Sequence, residues 1–229
     1  MTLEVVVQNH QEALQAEKLG AGRVELVAAI SEGGLTPSYG TIKQVLQHVS
    51  IPVQIMVRPH SYHFYYDSDD ASIILNDIQA VAELGGRGIV FGALNRDDTI
   101  NEHLLQQVIE TAPDMDITFH RAFDRVADQT SAYKVLAQYK DHIKRILTSG
   151  GEENCEAGKA NLRDLVQRAA QINGPSIMPG AGLSPENIRS IHEYVRASEY
   201  HTGKAVRINQ SFRNMFDAKK MDMMLAGMS

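Results

Sequence analysis

The run MDITFHRAFD, residues 115–124, carries an apolar segment directly into His120, Arg121 and Asp124. An imidazole with an ordinary pKa near ~6.5 exchanges protons at neutral pH, a guanidinium holds anions, and a neighbouring carboxylate can orient either one. Comparable residues sit in other short apolar runs: Glu4 in LEVVV, Glu25 in RVELV, Arg58 after VQIMV, Glu199 and His201 in EYHT. Two glycine-rich stretches, TSGG at 148–151 and PGAG at 179–182, also follow apolar runs, and such turns offer backbone N–H groups to anions. We therefore take Glu25, Arg58, His120, Asp124 and His201 as candidate catalytic residues. Asp124 would orient the His120 imidazole and Glu25 would act as a second acid or base. Glu4, Arg121, Ser149, Gly150, Gly180 and Gly182 are candidate ligand-binding residues, with Arg58 or Lys204 supplying positive charge. Isomerase or lyase chemistry on a small phosphorylated or carboxylated metabolite would use these parts. A Schiff-base aldolase fits less well, because Lys204 is the lysine nearest a strand exit and lies beyond its end.

The elements that must position these groups are short β-rich runs alternating with longer helical patterns. Strands are expected at 3–7, 23–27, 53–57, 88–91, 116–120, 145–148, 176–179 and 199–202, and helices at 10–19, 38–49, 69–84, 101–111, 128–139, 154–172 and 184–195. Ser38, Asp128 and Ser184 are suited to cap helices, and Pro185 suits a first helical position. Eight strands alternating with helices over 229 residues predict an α/β fold of the (β/α)8 TIM-barrel type. An open doubly wound sheet lacks its fingerprint, since GAGLSP has no third glycine and no first-strand position. No linker or low-complexity tract divides the chain, so one domain is expected over 1–229, with a short C-terminal extension from about 203.

Strand parity then assigns directions. Val53, Ile55 and Val57 form an outward set, sending Gln54, Met56 and Arg58 into the barrel; Ile117 and Phe119 do the same for Thr118 and His120. Glu4 with Val6, and Glu25 with Val27, follow the inward rule. Buried charge on this scale must pair, so a Glu25–Arg58 ion pair or network is expected. A purely structural network, in a scaffold or regulatory subunit, is the non-catalytic alternative.

The formal net charge is −6 and no Lys/Arg block is longer than a pair, which argues against nucleic acid or an anionic membrane as partner. The amino terminus MTLEVVVQNH has no basic segment followed by a long apolar one, so a cytoplasmic location is expected. The single Cys155 excludes an internal disulfide.

The segments EVVV, AGRVELVAAISEGGLTPS, IMVRP, FGAL, TFHRAFD, ILTSG, IMPGAG and EYH occur in order over roughly residues 3–203, and together they resemble the copper homeostasis protein CutC family. SEGGLTPS and TFHRAFD are the most specific of them. The resemblance implies a cytoplasmic TIM barrel, a homo-oligomer, and copper as a possible cofactor or partner; the competing partner is a small anionic molecule. Three departures stand out. Val6 and Val27 occupy inward positions where the family often has cysteine, and copper(I) favours thiolates. Cys155, near the start of the sixth helix, is no replacement. The family's long closing helix has no obvious counterpart after EYHTGK, so the barrel is expected to lack a full eighth helix and to bury the uncovered strand surface against a second copy. Met221, Met223, Met224 and Met228 offer thioether sulfurs, though a methionine-rich end more often makes an adaptable apolar contact. With His120 and His201 at the mouth and Glu25 or Asp124 adding oxygen, the donors suit copper(II) or zinc better than copper(I); the ligand set stays open. His60, His63, His103 and His192 read as solvated, although His60 and His63 can also edge the site.

Overall fold

The computed structural model describes residues 1–228. Its strands are β1 (Thr2–Val7), β2 (Arg23–Leu26), β3 (Val53–Met56), β4 (Gly88–Phe91), β5 (Asp116–Phe119), β6 (Ile143–Thr148), β7 (Ser176–Pro179) and β8 (Glu199–Thr202). All are parallel, in the order β7-β6-β5-β4-β3-β2-β1-β8. β7 and β8 meet at the remaining seam, where a Cβ on Gly180 would come within 3.3 Å of the His201 Cβ. The result is a nearly closed (β/α)8 barrel, the fold that the alternation predicts.

Between the strands run α1 (His10–Lys18), α2 (Tyr39–His48), α3 (Ser68–Glu83), α4 (Glu102–Thr111), α5 (Gln129–Ala137), α6 (Lys159–Ile172) and α7 (Ile188–Val195). Ser38 and Asp128 cap as expected, accepting bonds from the N–H groups of Thr41 and Ser131. Two helices start later than their periodicity suggests. Asn154 accepts from Glu156 N–H and Ala157 N–H, forming a side-chain turn that delays α6. Ser184 accepts from Glu186 N–H and so shapes the turn before α7 rather than its cap. Among the described residues no helix is long and apolar enough to cross a membrane.

Parity holds around the barrel. Val5, Val24, Ile55, Ile89, Ile117, Ile146, Ile177 and Tyr200 belong to the core between strands and helices, each fully or almost fully buried. Burying one such side chain contributes about 1.5–3 kcal/mol. Val6, Val27, Met56 and Val90 form a second, smaller cluster, with Ile30 and Phe212 packed against it.

The chain end corrects one expectation. An eighth helix is present: α8 (Ala218–Gly227), capped by Asp217, which accepts from the N–H groups of Lys219 and Lys220. Met221, Met224 and Met228 are buried in the main core, and of the four tail methionines only Met223 is exposed. The tail sulfurs therefore serve packing and are not gathered to hold copper. Leu3, Val5, Tyr200 and Thr202, the outward residues of β1 and β8, are all buried within one chain. The argument for an oligomer from uncovered strand surface thus falls away.

Arg207 fastens this closing segment. Fully buried, its guanidinium donates to Glu12 Oε2 (2.6 Å), the Val6 carbonyl (2.9 Å) and the Asn214 carbonyl (2.8 Å), and lies 4.3 Å from the centre of the Phe216 ring. Removing one partner of a buried pair strands the other charge. Arg207→Ala is expected to lower stability in urea unfolding by about 3–5 kcal/mol, with part regained in Arg207→Ala/Glu12→Gln; a loss smaller than about 1 kcal/mol would show that the pair does not fasten the segment.

Candidate functional site

The inward side chains stack in layers. At the amino-terminal end, Arg145 binds both oxygens of Asp116 (2.6 and 2.9 Å) and Glu199 Oε2 (3.1 Å). Arg23 bridges Glu199 (2.6 Å) and Glu4. Burial opposes the charge on Arg23, but the carboxylates of Glu4 and Glu199 outweigh it and raise its pKa. This plug closes the barrel floor, and the expected Glu25–Arg58 pair does not form. Arg23 shares the parity of Glu25, so the pattern that placed Glu25 inside also placed inside the cation that Glu4 and Glu199 share.

One layer up, Glu4 Oε1 lies 2.8 Å from His201 Nδ1, and His201 Nε2 lies 3.8 Å from Glu25 Oε2. Burial would raise the Glu4 pKa, but Arg23 and His201 pull it down to about 2. Glu25 behaves oppositely: burial, helped by the negative charge of Glu4, pushes it up to about 7 against the pull of His201. For His201 burial disfavours the cation, yet Glu25 and Glu4 prevail and its pKa is raised. Glu4 is thus a fixed anion, while Glu25 titrates near neutrality with Oε1 lacking a hydrogen-bond partner among the described residues. Glu4, Glu25 and His201 each place a ligand atom within 4.8 Å of the others, a grouping of donors that could hold a metal ion.

The upper layer opens into a cavity of about 510 Å³ at the carboxyl ends of the strands, a volume suited to a small ligand. Glu25, Arg58, His120 and His201 line it, with Phe64, Met56 and Leu147 as apolar walls. Arg58 is held by the carbonyls of Glu32 (3.4 Å), Gly34 (3.4 Å) and Ser61 (3.1 Å) and lies 4.9 Å from the Phe64 ring centre. No carboxylate lies within 4.0 Å of it among the described residues, so its charge faces the cavity uncompensated. Phe212, from the C-terminal extension, joins the lining, a position that no local pattern in SFRN marks.

His120 differs from the base expected of it. Its Nδ1 accepts from Ala122 N–H (3.1 Å), so the neutral ring carries its proton on Nε2, and Nε2 has no partner among the described residues. Burial first, and then Arg58, lowers its pKa to about 3. His120 is therefore a neutral donor, and with Nδ1 engaged and Nε2 protonated it is a poor metal ligand.

Asp124 does not orient His120. It pairs with Arg121 Nε (2.7 Å) and accepts from Ser149 N–H (3.1 Å), Gly151 N–H (3.2 Å) and Thr148 Oγ1 (2.5 Å). Gly150 N–H donates to Thr148 Oγ1 (2.9 Å). Hence the TSGG turn, with Ser149 and Gly150, already holds an anion, and that anion belongs to the protein. In the PGAG turn Gly180 N–H donates to the Thr148 carbonyl, but the N–H groups of Ala181, Gly182 and Leu183 have no partner among the described residues. Cys155 donates its thiol to the Gly180 carbonyl (3.0 Å), and burial together with Asp124 pushes its pKa up to about 12, so it is no thiolate ligand. His60 and His63 edge a separate aromatic pocket with Tyr62, Tyr65 and Tyr66. His192 is not solvated but buried, 2.9 Å from the Tyr200 hydroxyl.

An eight-stranded parallel barrel with a charged cavity at its carboxyl end defines the TIM-barrel class. Within it the chain belongs to the CutC family, whose model matches residues 1–206. A CutC family protein of Yersinia pseudotuberculosis is 40% identical over 212 residues, covering 92% of this chain and 82% of its own. One from Photorhabdus laumondii is 41% identical over 183 residues, covering 80% and 71%. The crystal structure of a CutC chain from Streptococcus agalactiae superimposes with a TM-score of 0.82 at 28% identity, over 89% of this chain and 98% of that one. A phosphoribosyl anthranilate isomerase of Thermococcus kodakaraensis, 14% identical with a TM-score of 0.66 over 99% and 97% of the two chains, shares the fold alone.

The two cavity histidines should titrate in opposite senses. Because the folded pKa of His120 lies below its unfolded value, its contribution to stability is complete above about pH 6.5 and is lost as pH falls toward 3. Imidazole nitrogen shifts in labelled protein should report a neutral Nε2–H ring for His120 at pH 5, about two units above its folded pKa. A cationic ring there would refute the assigned tautomer.

Proposed function

We propose that the cavity catalyses proton transfer on a small anionic metabolite, as an isomerase or lyase. The observation that supports this reading best is the meeting of two unlike polar sets in the lining of one cavity: a buried carboxyl with its pKa raised to about 7, and a neutral N–H donor near a guanidinium that has no carboxylate within 4.0 Å among the described residues. Environments that push titratable groups apart assign acid and base roles. Ionised Glu25 takes a proton from a carbon next to a carbonyl, and the electron pair moves onto the carbonyl oxygen. That oxyanion accepts hydrogen bonds from His120 Nε2–H and Arg58. In an isomerisation, protonated Glu25 returns the proton to the former carbonyl carbon while a hydroxyl on the first carbon passes its own proton to the oxyanion and becomes the new carbonyl. In an elimination the carbonyl re-forms, a carbon–carbon double bond forms, the bond to the departing group breaks, and Glu25 protonates that group. His201 balances the charge on Glu25, and Glu4 fixes the His201 ring.

Copper is the alternative that the family name carries. As cargo, copper(I) does not suit these residues: Val6 and Val27 are buried valines, Cys155 is a protonated thiol, and three of the four tail methionines lie in the core. The oxygen and nitrogen donors of Glu25 and His201 suit copper(II) or zinc, while Glu4 is already engaged by Arg23 and His201. Equilibrium dialysis is expected to show no stoichiometric copper(I); one equivalent retained would favour the cargo reading.

Metabolites that raise the melting temperature should include small carbonyl-bearing anions, and NMR in deuterium oxide should show exchange of a carbon-bound proton in the productive one. Glu25→Gln is expected to slow that exchange by about 10²–10⁴-fold while keeping the thermal shift. Arg58→Ala should abolish the shift itself. Exchange that survives Glu25→Gln unchanged would end the acid/base assignment.

A further inference from the structure

We propose that the turn after β7 is a phosphate subsite and that the substrate is a phosphomonoester. This rests on the acid/base reading above and names the substrate class for the same cavity. The chain carries two glycine turns at one rim, and they differ in one respect. In the turn at 148–151 the N–H groups are taken by Asp124 and by Thr148 Oγ1. In the turn at 180–183 Gly180 N–H is used internally, whereas those of Ala181, Gly182 and Leu183 meet no acceptor among the described residues. Ala181, Gly182 and Leu183 all line the cavity.

Backbone donors so placed call for an acceptor from outside the chain. Lys204, from the turn after β8, lines the same space and has no carboxylate within 4.0 Å among the described residues. Three successive N–H groups and an ammonium match the several acceptor oxygens of a phosphate dianion better than the two of a carboxylate. His120 and Arg58 line the same cavity, and their buried Nε2 and Nε atoms have no partner among the described residues, which leaves them for the reacting end of the molecule. A ligand with a phosphate at one end and a carbonyl at the other would satisfy both groups of donors.

Titration of labelled protein with inorganic phosphate tests the subsite. Backbone amide signals of Ala181, Gly182 and Leu183 are expected to shift and saturate, while those of residues 149–151 stay in place. Glycerol 3-phosphate should bind more tightly than inorganic phosphate, glycerol should not bind, and Lys204→Ala should weaken both anions by roughly 5-fold. Saturating shifts confined to the surroundings of Arg58 and His120 would overturn the subsite and leave the acid/base reading standing. Equal affinity for the two anions would overturn the phosphomonoester assignment. If the amides at 181–183 saturate but Glu25→Gln leaves proton exchange unchanged, the subsite holds and the catalytic reading fails.

Discussion

Glu4 is the interaction on which the interior depends. A lone carboxylate in this position would cost several kcal/mol or take up a proton. Instead it lies between Arg23 below and His201 above, and each neighbour inherits a role from it. Arg23 is tied into the floor network with Glu199, and through Glu199 with Arg145 and Asp116, which seals the amino-terminal end. His201 is turned so that Nε2 lies 3.8 Å from Glu25 Oε2. Because Arg23 and His201 serve Glu4 first, Glu25 has no cation close enough to hydrogen-bond among the described residues, and burial raises its pKa toward neutrality. The same charge balance thus ties the floor together and leaves a carboxyl with a raised pKa in the cavity lining.

The two cavity histidines show how neighbours decide chemistry. His201 borders two carboxylates and is drawn toward the cation. His120 sits under a backbone N–H and beside Arg58 and is held neutral. Equal in type and both buried, they differ in charge preference because one borders carboxylates and the other a guanidinium.

The closing segment has a comparable economy. Arg207 gathers the ends of separate loops around one guanidinium, its ring contacts with Phe212 and Phe216 included. It thereby seats Phe212 at the cavity edge and delivers α8 to the flank of the barrel. A methionine-rich tail that could be mistaken for a metal arm is a packing element, since flexible thioethers fill an irregular groove without demanding one geometry.

The strands, their parity, the barrel and the family were legible in the sequence because each rests on local periodicity and on motifs of fixed spacing. Glu4, Glu25, Arg58 and His120 were found in the interior for that reason, whereas the direction of His201 was settled only by its contacts with Glu4 and Glu25. Even the eighth helix had its local sign, an aspartate before KKMDMMLAG, although a short helix of modest amphipathicity does not announce itself. What the sequence could not decide was pairing. Which cation meets Glu4, which nitrogen of His120 carries the proton and which glycine turn keeps its N–H groups free are all set across the barrel, by side chains far apart in the chain. Charge pairing depends on distances of a few ångströms, and only closure of the eight strands fixes them.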